Sequence, residues 1–250
     1  PVLHPDVNLS SKKVITDANS IRLGLSSVRN IGEANVRFLI ETREKAGLFR
    51  SIADIIERSN LPQKALENLA KAGAFDSLNP NRREVHWEIG LRYRPFKNQL
   101  SLQLPTEQDR ANLPIQKRWE ILRDEYHTLN LSTTGHMMEE LRAHLPPKVL
   151  PSHLLATYTE GSHIITAGIV IRRQHPISTK AIFMTLEDEH GLIPLIIWPT
   201  TWNQYRDNFK APFLLVWGRV SRREGTMNII VEKANPIPSI NYRPKSKDWH

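Results

Sequence analysis

The run Ile21 to Ile40, IRLGLSSVRNIGEANVRFLI, constrains the chain most, because its apolar period is interrupted by Asn30-Ile31-Gly32 and resumes at once. Two helices joined by so short a turn need backbone at φ > 0, which Gly32 adopts freely and Asn30 adopts more readily than most residues. The spacing therefore predicts a helix-hairpin-helix. Glu33, Ala34 and Asn35 would open the second helix, whose first N–H groups lack intrahelical partners and suit a phosphate oxygen. Such a hairpin holds a nucleic-acid backbone without reading bases. The same run also fits a helical hairpin that only packs on its neighbours.

Charge is compatible with a polyanionic partner. The chain carries 34 Lys and Arg against 26 Asp and Glu, a formal +8. Residues 1–98 hold 16 basic and 11 acidic side chains, residues 99–160 hold 6 and 8, and residues 161–250 hold 12 and 7, so two basic ends flank an acidic waist. Charge alone does not separate DNA from RNA or a membrane surface. The 250 residues suffice for two domains, each with its own core. No cysteine is present, which removes disulfides and thiolate metal sites and suits a reducing cytoplasm. No transmembrane or signal segment is visible. The chain begins at Pro1, as a fragment of a longer protein would.

Along the chain, residues 1–20 read as an extended lead-in and residues 21–94 as a helical unit, with apolar residues three and four apart in SIADIIERSNLPQKALENLAKAGAF. Residues 95–114 read as a linker. It contains Gln99, Leu100, Ser101, Leu102, Gln103 and Leu104, a plain linker by spacing or an extended peptide that could fill an apolar groove on a partner. Residues 115–150 read as a helical connector, with Trp119, Leu122, Tyr126 and Leu129 on one face. From 151 to 235 the period changes to alternation. Three strand-like runs, a short helix opened by Pro199, and two more runs give the order of an OB-fold, a small barrel that often takes single-stranded nucleic acid. Residues 236–250 form a tail. The predicted class is α+β and multidomain, a helical unit followed by a five-stranded barrel. Arg172, Arg173, Lys180, Arg219 and Arg222 are the barrel's candidate nucleic-acid contacts, joining Arg29, Asn30, Ile31, Gly32 and Glu33 of the hairpin. Trp198 and Trp217 could stack bases or serve as core and rim.

Catalytic signatures are missing. Template-directed synthesis needs carboxylates holding two metal ions. The dense acidic cluster Glu187-Asp188-Glu189 falls at a strand end, where a solvated turn accounts for it. The ten histidines show no metal-ligand spacing, and no phosphate-binding Gly-rich loop is present. The pattern is that of a binding and tethering region, with no catalytic residues and no cofactor of its own.

LHPDVN at 3–8, IRLGLSSVRNIGEAN at 21–35, LENLAKAGAFDSL at 66–78, TGHMM at 134–138 and the barrel strands together resemble the C-terminal part of the bacterial C-family DNA polymerases, the DNA polymerase III alpha subunit family. The nearer likeness is to its error-prone, damage-inducible branch, because of SLNPNRREVHWEIG and an ending soon after the barrel. The resemblance implies a chain lying after a fingers-like domain, with catalysis and its Mg2+ in an upstream palm. It implies a primer–template duplex at the hairpin of Asn30 to Glu33 and a sliding clamp at Gln99 to Leu104, while the barrel, read from its strand order, could take single-stranded template, bind a protein or only brace a neighbour. Gln103 stands where that clamp motif favours an aromatic, a loss of apolar anchor of about 1–3 kcal/mol. Asn30 replaces a usual glycine, and His136-Met137 falls where the family often has proline. A Y-family-like mutagenesis partner, translesion synthesis and a cytoplasmic, nucleoid-associated location are further implications. The alternatives are the same region of a replicative alpha subunit and a non-enzymatic DNA-binding adaptor.

Overall fold

The structure is a computed structural model that describes residues 1–17, 19–93, 112–176, 180–223, 225–237 and 247–249. The segment Gln99 to Leu104 lies outside the described residues. The chain divides into two compact units, residues 1–134 and residues 135–250. This division falls inside the 115–150 stretch read from sequence as one connector.

The first unit opens with a three-stranded sheet, β1 (Val2–Leu3), β2 (Ile15–Asp17) and β3 (Ser20–Arg22), in the order β1-β3-β2. β3 lies parallel to β1, with Val2 opposite Ile21, and antiparallel to β2. Among the described residues five α-helices follow: α1 (Glu33–Ala46), α2 (Ile52–Arg58), α3 (Gln63–Lys71), α4 (Arg82–Arg92) and α5 (Arg118–Leu129). Ser51 caps α2 by accepting from Asp54 N, and Asn81 caps α4 by accepting from Arg83 N. One apolar core runs through the unit, from Leu25, Val28 and Ile31 through Val36, Leu39, Phe49, Ile55 and Leu69 to Phe75, Val85 and Ile89.

Two expectations change. The stretch before the turn is no α-helix: Ile21 belongs to β3, and only Leu25–Ser27 form a single 3₁₀ turn. Its backbone N–H groups are drawn sideways, Leu25 N donating to Ser11 O (3.0 Å) and Ser26 N to Lys12 O (3.1 Å), so a helical ladder cannot form. The lead-in is also an integral part of the unit. Val7 N donates to Ala74 O (2.9 Å), and the Asn8 side chain exchanges bonds with Phe49 O and Phe49 N, both 2.9 Å.

A buried carboxylate ties these pieces together. The Glu125 side chain on α5 is 0% exposed. Its Oε1 accepts from Thr134 Oγ1 (2.6 Å), His4 Nε2 (2.7 Å) and the Arg82 guanidinium (3.1 Å), while Oε2 accepts from Ser132 Oγ (2.6 Å), Thr133 N (3.1 Å) and Thr134 N (3.3 Å). Arg82, itself 5% exposed, also binds Asp76 (2.7 Å) and Lys71 O (3.1 Å). Lead-in, α4, α5 and the loop after α5 therefore meet at one group.

The second unit begins with α6 (Met137–Arg142) and α7 (Ser152–Leu155). The strands are β4 (His163–Gln174), β5 (Ile182–Glu187), β6 (Leu192–Ile197), β7 (Phe213–Arg223) and β8 (Thr226–Pro236), with α8 (Pro199–Tyr205) between β6 and β7. They pair as β5-β6-β8-β7-β4, and β4 pairs β5 again, closing a five-stranded barrel of OB-like order. Long β4 serves both sides, pairing β7 from His163 to Ile169 and β5 from Ile169 to Gln174. The switch is made at Gly168, where an added Cβ would stand 2.8 Å from Glu187 O and from Leu186 Cβ, and is followed by a register shift between Val170 and Arg172. Within the stretch read as a tail, β9 (Lys247–Trp249) runs parallel to Arg172–Gln174.

Burial alone would raise the Glu125 carboxyl above its ordinary 4.5, but the bonds from His4, Ser132 and Thr134 outweigh it and hold it at about 2. Since the folded value lies below the unfolded one, its stabilisation is complete above pH 4.5 and is lost as the pH falls from there toward 2. Glu125→Gln should cost the first unit about 3 kcal/mol, because the buried Arg82 loses one of its two carboxylate partners. It should also flatten the acid slope below pH 4.5. Urea unfolding of the first unit followed against pH reads both, and a wild-type slope retained in the variant would refute the assignment.

Candidate nucleic-acid interface

The predicted hairpin turn forms with two positive-φ residues around a buried one. Asn30 has φ 58° and Gly32 φ 79°, while the Ile31 side chain, 3% exposed, is sunk in the core. Ile31 is thus the anchor of the turn and not a surface contact. The turn is held from behind. Arg29 N donates to Thr128 O (2.8 Å), Arg29 O accepts from Asn68 Nδ2 (2.9 Å), and the Arg29 guanidinium reaches His127 O (3.3 Å). Asn35 Nδ2 donates back to Ile31 O at 2.6 Å. Gly32 is the N-cap of α1 and has no side chain to satisfy the first amides, and Asn30, Gly32, Glu33 and Ala34 are all exposed. Rigid backing and open N–H groups are what a phosphate oxygen requires.

Sequence reasoning missed a cation here. The bonds from Leu25 and Ser26 to residues 11 and 12 bring Lys12 to the start of α1, where it pairs with Glu33, and the Lys13 backbone lies against Gly24. The Lys12-Lys13 doublet was the available signal, but only the tertiary fold attaches it to the hairpin. The Glu33 carboxyl is pulled below its usual range by that bond and the charge of Lys12.

On the barrel, the alternation of β5, β6 and β8 sets one row of side chains outward. Across the strands Phe183 stands opposite Ile196, Ile196 opposite Ile230, and Ile230 opposite Arg219. A second row runs from Arg172 through Thr185 to Pro194. Apart from Thr185 the rows are half-buried apolar side chains with exposed Arg172 and Arg219 at their margins, an arrangement suited to base stacking between cations. Phe183 went unnoticed in sequence because alternation gives no hint of which outward face matters. Trp198 is 46% exposed at the end of β6, whereas Lys233 lies over the Trp217 ring at 5.0 Å.

The predicted barrel cations do not form one patch. Arg172 and exposed Lys180 flank the β4–β5 connection, while Arg219 and Arg222 lie toward the β7–β8 turn. Several are already engaged. Arg173 donates to Phe209 O and Ala211 O (both 3.1 Å), Arg222 to Ala156 O (2.6 Å) and Tyr158 O (3.1 Å), and Arg219 pairs with Glu232 at 2.7 Å.

The acidic cluster is not a solvated turn. Asp188 is 3% exposed and accepts from Ser152 N and Ser152 Oγ (both 2.6 Å), His190 N (2.9 Å) and Gly191 N (3.1 Å). The Arg142 guanidinium adds bonds to Asp188 (3.2 Å) and Glu189 (2.7 Å). Burial opposes ionisation of Asp188, but these bonds bring its carboxyl below the ordinary range. Glu187, half-buried beside Asp188, is raised by burial and by that charge. Among the described residues no three His, Cys, Asp or Glu side chains are grouped to hold a metal ion. No helix among them is long and apolar enough to cross a membrane.

The helix-hairpin-helix motif family matches residues 1–85. Curated error-prone DNA polymerases of Bdellovibrio bacteriovorus and Anaeromyxobacter dehalogenans are each 31% identical to the chain, over 87% and 94% of it. That of Mycolicibacterium paratuberculosis is 30% identical over 98%. The chain spans about a fifth of the length of these relatives, 22%, 21% and 23% respectively. Among solved structures, an asparaginyl-tRNA synthetase from Pyrococcus horikoshii overlaps 38% of this chain and 23% of its own with a TM-score of 0.33 and 18% identity. The chain is thus a homologue of the error-prone DNA polymerases over most of its own length.

If the Asp188 cluster is a structural clasp, Asp188→Asn should destabilise the second unit by about 2 kcal/mol, through lost charge-assisted bonds. Its affinity for DNA should stay within about twofold of wild type, since no candidate contact touches it. Thermal unfolding and DNA titration of the same preparation check both, and a lost affinity with unchanged melting would return the cluster to the functional site.

Proposed function

We propose that this homologue of the error-prone DNA polymerases is the part of such an enzyme that grips DNA. The observation that carries the reading is the turn at Asn30 and Gly32. Two positive φ values and an uncapped, exposed helix start sit on a rigidly bonded backing, within the stretch that matches the helix-hairpin-helix family. In this reading the amides of Glu33 and Ala34 take a phosphate of the primer–template duplex, with Lys12, Lys13 and Arg29 supplying positive charge. Contacts of this kind set position without reading sequence, as suits an enzyme that must work on any template.

The barrel is proposed to take single-stranded template across Phe183, Ile196 and Ile230, with Arg172 and Arg219 at the margins. Bases stack on such a surface whatever their identity. Polymer synthesis itself is assigned to other parts of the parent enzyme, where carboxylates would hold Mg2+. Translesion synthesis, a weak sliding-clamp contact through Gln99 to Leu104, and a Y-family-like mutagenesis partner belong to the same proposal and rest on the resemblance alone. The error-prone role is preferred over the replicative one because the relatives bearing the likeness are named error-prone.

Fluorescence anisotropy with primer–template, duplex and single-stranded DNA across a salt series tests the reading. Binding at micromolar concentration or tighter, weakening steeply with salt, is the expected result. Gly32→Val forces a β-branched residue to φ 79° and should lower duplex affinity roughly tenfold, the loss of one charge-assisted bond. Phe183→Ala should lower single-strand affinity by roughly fivefold to tenfold and leave duplex affinity unchanged. Absence of binding at low salt would end the DNA-gripping assignment.

A further inference from the structure

We propose that Glu33 is a built-in competitor for DNA at the hairpin, a carboxylate that occupies Lys12 until a backbone phosphate displaces it. The inference rests on the DNA-gripping role proposed above and concerns what sets its strength.

Lys12 is held in place by its backbone and not by its side chain. Ser26 N donates to Lys12 O (3.1 Å) and Leu25 N to Ser11 O (3.0 Å). Gly24 approaches so closely that an added Cβ would lie 2.4 Å from the Lys13 carbonyl carbon. The loop is thereby fixed against the 3₁₀ turn that leads into Asn30 to Gly32. From there the Lys12 ammonium meets the carboxylate of Glu33, the first residue of α1.

Three properties make this pair a competitor. Both side chains are open to solvent, 42% exposed for Lys12 and 65% for Glu33, so water screens the bond and another anion can replace it. Glu33 stays ionised well below neutral pH, because Lys12 stabilises its charged form. Its carboxylate also stands at the helix start that would take the phosphate, so an incoming phosphodiester meets a like charge unless Glu33 gives up its cation. Arg37, one turn further along α1, is the other charge acting on Glu33. Binding then proceeds as an exchange of anions on Lys12, and part of the attraction is spent on the exchange. A moderated grip allows a polymerase to release and advance.

The test compares Glu33→Gln with Glu41→Gln, a neutralisation further along α1 at a residue paired only loosely with Lys45 (4.0 Å). Duplex DNA is titrated by anisotropy into the full 250-residue chain. Glu33→Gln should tighten binding roughly fivefold, the scale of an exposed ion pair, and Glu41→Gln by less than about twofold. Carbon-13 titration of the wild-type Glu33 carboxyl should show its pKa rising when saturating duplex is added, since DNA takes the Lys12 partner. Equal gains from both variants, or a Glu33 titration unmoved by duplex, would overturn the competitor while leaving the gripping role intact. Wild-type chain that fails to bind duplex at low salt would overturn both.

Discussion

A carboxylate removed from water must be given donors, and each compact unit of this chain is organised around meeting that demand. Glu125 in the first unit collects His4, Arg82, Ser132, Thr133 and Thr134. Asp188 in the second collects Arg142, Ser152, His190 and Gly191. Hydrophobic burial makes the cores but fixes few angles, whereas an ionised group with several directed bonds accepts one arrangement. Local donors complete each shell, but His4 and Arg82 come to Glu125, and Arg142 and Ser152 to Asp188, from far away in sequence, so each carboxylate ties distant segments together. The lead-in joins the first unit through His4, and α6 joins the barrel through Arg142.

That dependence explains which features were legible in sequence. The turn at Asn30 and Gly32 could be read because positive φ is a local property of those residue types. The barrel order could be read because alternation over five runs and a proline-started helix are also local signals. What could not be read depended on distant partners. The 3₁₀ turn at Leu25–Ser27 replaces a helix because residues 11 and 12 capture its amides. Glu187-Asp188-Glu189 looked like a solvated turn because Ser152 and Arg142, which bury it, lie some forty residues away. Phe183 was passed over because period two marks two faces and does not say which one meets a ligand.

In the proposed function the two candidate surfaces answer different recognition problems with different parts. At the hairpin, backbone amides beside Lys12 would offer charge at a defined place, as a regular array of phosphates requires. On the barrel, half-buried apolar side chains between arginines would offer area and little direction, as unpaired bases require.

The pairing of β9 with β4 has a bearing on how the barrel behaves among other proteins. β7 leaves β4 after Ile169, and from Arg172 to Gln174 that side of the strand is covered by Lys247–Trp249. Uncovered, this stretch would present free amides and carbonyls in strand geometry, the template along which one chain adds to another. Lys247–Trp249 thus close the stretch of β4 that β7 leaves open, and that edge does not offer itself as a template for strand addition.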